Sequence, residues 1–183
     1  MKSLLSFFLV CFFLSGCLSY DGRDLSFADV KSKSSSVTSG DLTARMYFLS
    51  DDEIAETFSG RVDPDEYAVA ALSVTNAGRE AYSFPDSFLT RAQARFRDVY
   101  DDAEYGFVHG GPFPWAIVKR AHENRKIKKH LKREIFSAKR VDAGASCDGL
   151  VFFNRDALDG EYLVLEAVGE KSGTGVRLSI AVR

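Results

Sequence analysis

Few side chains in this 183-residue chain are placed to do chemistry. Ser146-Cys147-Asp148 and His109 hold the parts of a cysteine nucleophile and its base. The backbone amides of His109-Gly110-Gly111 could face a developing oxyanion. No Gly-x-Ser-x-Gly elbow accompanies them, and nothing local lowers the Cys147 thiol pKa, so turn and strand-flank roles suit these residues better. His122 and His130 lie eight positions apart in a basic stretch, too far to share one metal. Metal-ligand, phosphate-loop and dinucleotide patterns are absent. The carboxylate pairs Asp51-Asp52 and Asp101-Asp102 read as turn residues. The expectation is a non-enzymatic protein with no catalytic, metal or cofactor-binding set.

The most telling side chain is Cys17. Met1-Lys2-Ser3 precedes an apolar run from Leu4 to Leu14, broken only by Ser6, and Leu14-Ser15-Gly16 leads to the cysteine. A positive start, a short apolar core and small residues before a cut describe a secretory signal over residues 1–16. The run is too short to cross about 30 Å of hydrocarbon as a helix. Leu14-Ser15-Gly16-Cys17 resembles the lipobox of bacterial lipoproteins at all four positions. That resemblance implies lipidation of Cys17, as by palmitate, and a mature chain that starts there and is held to the membrane by its lipid. Two or three fatty chains hold a protein stably where one does not. In the family, Asp after the cysteine favours the inner membrane. Leu18 therefore implies the outer membrane, facing the periplasm, in a Gram-negative host, and the cell surface otherwise. With Cys11 in the signal and Cys17 lipidated, Cys147 is left alone and no internal disulfide can form.

Charge is unevenly spread. The whole chain carries a formal −2, yet Lys119 to Arg140 holds ten basic and two acidic residues, a local +8. The pattern predicts one long amphipathic helix over about 115–140, with Ile117, Ala121, Ile127, Leu131, Ile135 and Ala138 in a stripe around Asn124. Glu123 and Glu134 count as the only counter-charges of its surface. An anionic partner would meet Arg125, Lys126, Lys129, Lys132 and Arg133, whether phospholipid headgroups or an acidic protein or polymer. Docking onto Asp51, Asp52, Glu53, Asp101 and Asp102 of the same chain competes with that reading. Nucleic acid is not expected, because no reading motif accompanies the charge.

These groups must be positioned by a β-rich domain. Residues 17–40 combine the lipidated cysteine with a Ser-rich tether, and 41–183 form one domain. Leu42 to Phe48 alternates with a period of two, and Ser50-Asp51-Asp52-Glu53 caps a short helix through Phe58. Tyr67–Thr75 and Arg79–Phe84 flank Asn76-Ala77-Gly78 as a hairpin. The stretch around 93–100 leans towards strand, although Phe88, Ala92, Phe96 and Val99 sit at helical spacing, so 86–100 stays open between the two. Leu150–Phe153, Glu161–Val168 and Val176–Val182 read as an antiparallel meander. The expected fold is mainly β: an antiparallel Ig-like β-sandwich with the basic helix inserted. Val74–Phe84 resembles a hairpin of bacterial Ig-like lipoprotein domains. The expected role is a membrane-anchored binding or accessory module of the envelope. The alternatives are a hydrolase using His109 with Cys147 or a serine, and peripheral docking through the basic helix.

Overall fold

Tyr67–Asn76 (β3) carries no charge, and all of it but Thr75 is buried. A strand with one wet face would alternate; this one is covered on both sides and so reads as a continuous apolar run. The computed structural model describes residues 20–27, 34–84, 93–104, 114–137, 139–158 and 162–181. In it β3 lies inside an antiparallel sheet with Ser35–Ser39 (β1), Leu42–Phe48 (β2) and Ser146–Asn154 (β6), in the order β1-β2-β3-β6. Ala70, Leu72 and Val74 point to a second sheet, while Tyr67, Val69 and Ala71 point to the helices.

The second sheet is also antiparallel, with order β5-β4-β7-β8. It joins Tyr82–Ser83 (β4), Arg140–Val141 (β5), Tyr162–Gly169 (β7) and Gly175–Ala181 (β8). β8 alternates buried and exposed residues, as expected of a sheet with one face in water. Leu163, Leu165, Leu178 and Ile180 meet Leu42, Met46, Leu72 and Phe153 in one apolar core shared by the two sheets. Each such side chain contributes roughly 1.5–3 kcal/mol when fully buried. The chain is therefore mainly β, as expected, with two four-stranded antiparallel sheets.

The pairing differs from the expected one in two places. β3 and β4 do not form a hairpin: they belong to different sheets, and the chain changes layer at Asn76. Asn76 is fully buried; its Nδ2 donates to the carbonyls of Glu80 (2.7 Å) and Asp142 (3.0 Å), and its Oδ1 accepts from the Gly78 amide at 2.9 Å. The polar turn signal was real, but its side chain anchors a crossover. Nor do the last three strands form one meander, because β6 pairs with β3 while β7 and β8 form a hairpin in the other sheet.

Three α-helices are described from end to end, besides a 3-10 turn at Arg155–Ala157. Asp51–Thr57 (α1) has the expected capping box, with Ser50 and Glu53 satisfying each other's backbone amides. Phe96–Ala103 (α2) is a helix where the reading leaned towards strand; Val99 and Ala103, four apart, are its buried face. The basic helix, Pro114–Glu134 (α3), stops six residues before the expected end at Arg140. Beyond it Ile135 bridges to Leu150, and the Phe136 amide donates to the Leu150 carbonyl at 2.8 Å. Gly149 permits this, since a Cβ there would fall under 3.0 Å from the Phe136 backbone. The stretch expected as a tether also differs: Ser35–Ser39 pairs with β2 from Ser35↔Met46 to Ser39↔Leu42. Hydrogen bonding to a neighbouring strand orders residues whose own side chains bury little.

Candidate functional site

Helix α3 lies on the outer face of the β3–β6 sheet. Ile127 and Leu131 enter the second apolar cluster with Ile54, Phe58, Val69, Val99, Leu150 and Phe152. Asn124 is buried, as its place in the stripe implied, while Ile117 and Ala138 lie outside the side chains described. The opposite face carries the five residues expected to meet an anion. Arg125, Lys126, Lys129, Lys132 and Arg133 are all exposed, as is Val118 at 67 %. Lys126 reaches back to Glu123 at 3.1 Å, and Arg133 bonds Glu134 and Asp24. Lys128, beside them, sits 4.9 Å above the Tyr100 ring. Four of the five acids proposed as internal partners are used elsewhere: Asp51 pairs with Arg155, Asp101 with Arg97, Asp102 accepts from Tyr67, and Glu53 accepts from Tyr47.

What sequence reasoning missed is the edge between these two faces. Glu123, His130 and Glu134 follow one another at helical spacing and are all buried, so the two glutamates are not surface counter-charges. Residues 20–27 cover them. The Tyr20 amide donates to Glu123 Oε2 at 2.8 Å, and the Tyr20 hydroxyl is hydrogen-bonded to His130 Nδ1. Asp21 and Arg23 donate backbone amides to Ser59 Oγ and the Thr57 carbonyl at 3.1 and 3.0 Å. Asp24 pairs with Arg133. Gly22 lets the strap lie this close, because a Cβ would fall under 3.0 Å from both the Tyr20 hydroxyl and His130 Nδ1. The signal in the sequence was the His130-x-x-x-Glu134 spacing, one helical turn on one face. Asp24, whose carboxylate lies 3.8 Å from His130 Nε2, joins this pair from the other end of the chain.

The electrostatics follow from burial. Desolvation lowers the His130 pKa; Arg133 acts the same way, while Glu134, Asp24 and the Arg23 carbonyl oppose it. The Phe58 ring lies 5.7 Å from the imidazole, centroid to centroid, on the side of the sheet. Burial alone would raise the Glu123 pKa, but the Tyr20 amide and the Lys126 ammonium bring it below the usual carboxylate range. Tyr20 is held as the neutral phenol by burial and by Glu134.

A histidine whose folded pKa is depressed binds its proton more readily in the unfolded chain. Its stabilisation is complete above the ordinary value of 6.5 and is lost as pH falls from there through the folded value. The urea midpoint should therefore drop between pH 7.5 and 5.5, and by less in His130→Gln. Equal drops in the two proteins would assign the pH dependence to other groups.

Of the other sequence-based candidates, Cys17 and His109-Gly110-Gly111 lie outside the described residues. Cys147 is half-buried against the shared core, its thiol 3.7 Å from the Val74 carbonyl. Burial, then Asp148, pushes its pKa up to about 11, the opposite of what an attacking thiolate needs. No helix among the described residues is long and apolar enough to cross a membrane. No protein-family model, no curated protein and no solved structure matches the chain.

Proposed function

We propose that this chain is a lipid-anchored envelope protein, a non-enzymatic binding or accessory module whose basic helix is held at the membrane surface. One observation carries the reading: Tyr20, three residues after the lipobox cysteine, is fixed to α3 through Glu123 and His130. Three residues span at most about 11 Å. A lipid on Cys17 therefore leaves α3 close to the headgroups. There the exposed Arg125, Lys129 and Lys132 are each worth about 1 kcal/mol against anionic lipid. Leu18 favours the outer membrane, facing the periplasm, in a Gram-negative cell, and the cell surface otherwise. Two antiparallel sheets over a shared core support the Ig-like sandwich reading of the domain. The raised thiol pKa of Cys147 weighs against the cysteine form of the hydrolase alternative.

Fractionation of cells at low and high salt tests the proposal. The wild-type protein stays with the membranes in both and takes up labelled palmitate. Cys17→Ser takes up none, is soluble at high salt, and returns to the membranes only at low salt, through α3. An unlabelled wild-type protein, or a Cys17→Ser protein that remains membrane-bound in high salt, rules the anchor out.

A further inference from the structure

Asp24, His130 and Glu134 converge at the edge of α3, where Arg133 is the cation that serves both carboxylates. His130 Nε2 stands 3.8 Å from Asp24 Oδ1 and 3.9 Å from Glu134 Oε1, and the three ligand atoms lie within 4.8 Å of one another. His130 is 5 % exposed, yet Nε2 has no partner in hydrogen-bond geometry, the Arg23 backbone being the other polar group that faces the ring. A buried polar nitrogen without a partner is unusual, and each instance calls for a physical reason. A metal at Nε2 requires the tautomer in which Nδ1 donates to the Tyr20 oxygen, and in that tautomer the Nε2 lone pair faces the two carboxylate oxygens.

We propose that Asp24, His130 and Glu134 form a binding site for one divalent metal ion of borderline softness, such as Zn2+. One imidazole nitrogen with two carboxylate oxygens suits such an ion, whereas Mg2+ and Ca2+ prefer oxygen alone. Tetrahedral zinc with bonds of 2.0–2.2 Å sets its ligand atoms about 3.4 Å apart, so the two gaps to His130 close by about half an ångström and the gap between the carboxylates by at most about 1.4 Å. The His130–Glu134 pair comes from one helical turn, and Tyr20 orients the ring from behind, as groups outside a metal's own shell do.

The positive charge that now serves these carboxylates is Arg133. Its guanidinium bonds the same two oxygens, Asp24 Oδ1 and, at 3.0 Å, Glu134 Oε1. Arg133 and Asp24 are 53 % and 68 % exposed, so the arginine can swing into solvent and an ion can enter by the same path. The metal and Arg133 compete for one position. Because Asp24 belongs to the N-terminal strap and the other two ligands to α3, the ion would pin the strap to the helix. The neutral state that burial favours for His130 is also the one that binds metal.

Titrating the full-length chain in detergent with Zn2+ against a chromophoric chelator tests the site. One saturable site of micromolar affinity or better is expected, and Zn2+ should raise the unfolding temperature. Asp24→Asn and Glu134→Gln each weaken binding by at least about tenfold. Arg133→Gln tightens it, and His122→Gln, on the exposed side of the same helix, leaves it unchanged. Co2+ in place of Zn2+ gives a visible spectrum without a thiolate charge-transfer band, which separates this site from binding at Cys147. The absence of a saturable site, affinity unchanged in Asp24→Asn and Glu134→Gln, or weaker binding in Arg133→Gln overturns the assignment.

Discussion

Leu131→Ala should lower the unfolding free energy by about 2–5 kcal/mol, the range for emptying a buried leucine site. Leu131 is 1 % exposed and enters the cluster beneath α3 with Ile127, Phe58 and Phe152. Those partners belong to the C-terminal cap of α1, to α3 and to the sheet, so no one of them closes the cavity by moving alone. The loss is a large part of the roughly 5–15 kcal/mol that holds most domains folded. Lys132→Ala, the exposed neighbour, should stay within about 0.5 kcal/mol of wild type. Urea midpoints at unchanged slope measure both. A Leu131→Ala cost no larger than that of Lys132→Ala would mean that α3 does not rest on the sheet. His130 is the preceding residue in the same turn, so the same substitution should also loosen the strap over it.

The second large effect is expected at Asn76, where the chain passes from one sheet to the other. Asn76→Ala leaves the carbonyls of Glu80 and Asp142 without their donor and the Gly78 amide without its acceptor, all around a fully buried position. These three bonds are part-buried, so each unmet group costs near the lower end of about 1–3 kcal/mol and a total near 3 kcal/mol is expected. In a domain of this size that corresponds to a melting point lower by roughly 6–12 °C. Thr75→Ala, half-exposed and next in sequence, is the control. A shift at Asn76 no larger than the control's would show that solvent or a relaxed backbone replaces these bonds.

Elements set by local chemistry were legible in the sequence. Ser50 and Glu53 announce α1 because a capping box acts over four residues. The alternation of Leu42 to Phe48 announces β2 because its pleat has one dry face. Pairing was not legible. Asn76-Ala77-Gly78 carries turn chemistry equally suited to a hairpin and to a crossover, and the choice rests on Asn76 meeting Asp142 far along the chain. In the same way, Phe96 and Val99 fit two periods until the packing of Val99 and Ala103 decides for helix. The candidate site was half visible. His130 and Glu134 share a helix face in any reading of the sequence. Tyr20, 103 residues before Glu123 and 110 before His130, carries no pattern that points to them.

The serines of β1 have a consequence for self-association. Among the described residues β1 ends its sheet, and an end strand offers unpaired amides and carbonyls to any strand that passes. At the other end of the same sheet the bridges from Gln93 to Phe153 and from Ile135 to Leu150 cover β6. Among the described residues β1 has no such bridge, although β8 lies close to it; it is five residues long, with Val37 its only large apolar side chain. A short, polar strand is a poor template for a neighbour's backbone. Strand exchange through this edge would therefore gain little apolar contact, which keeps it a weak route to self-association at high local concentration.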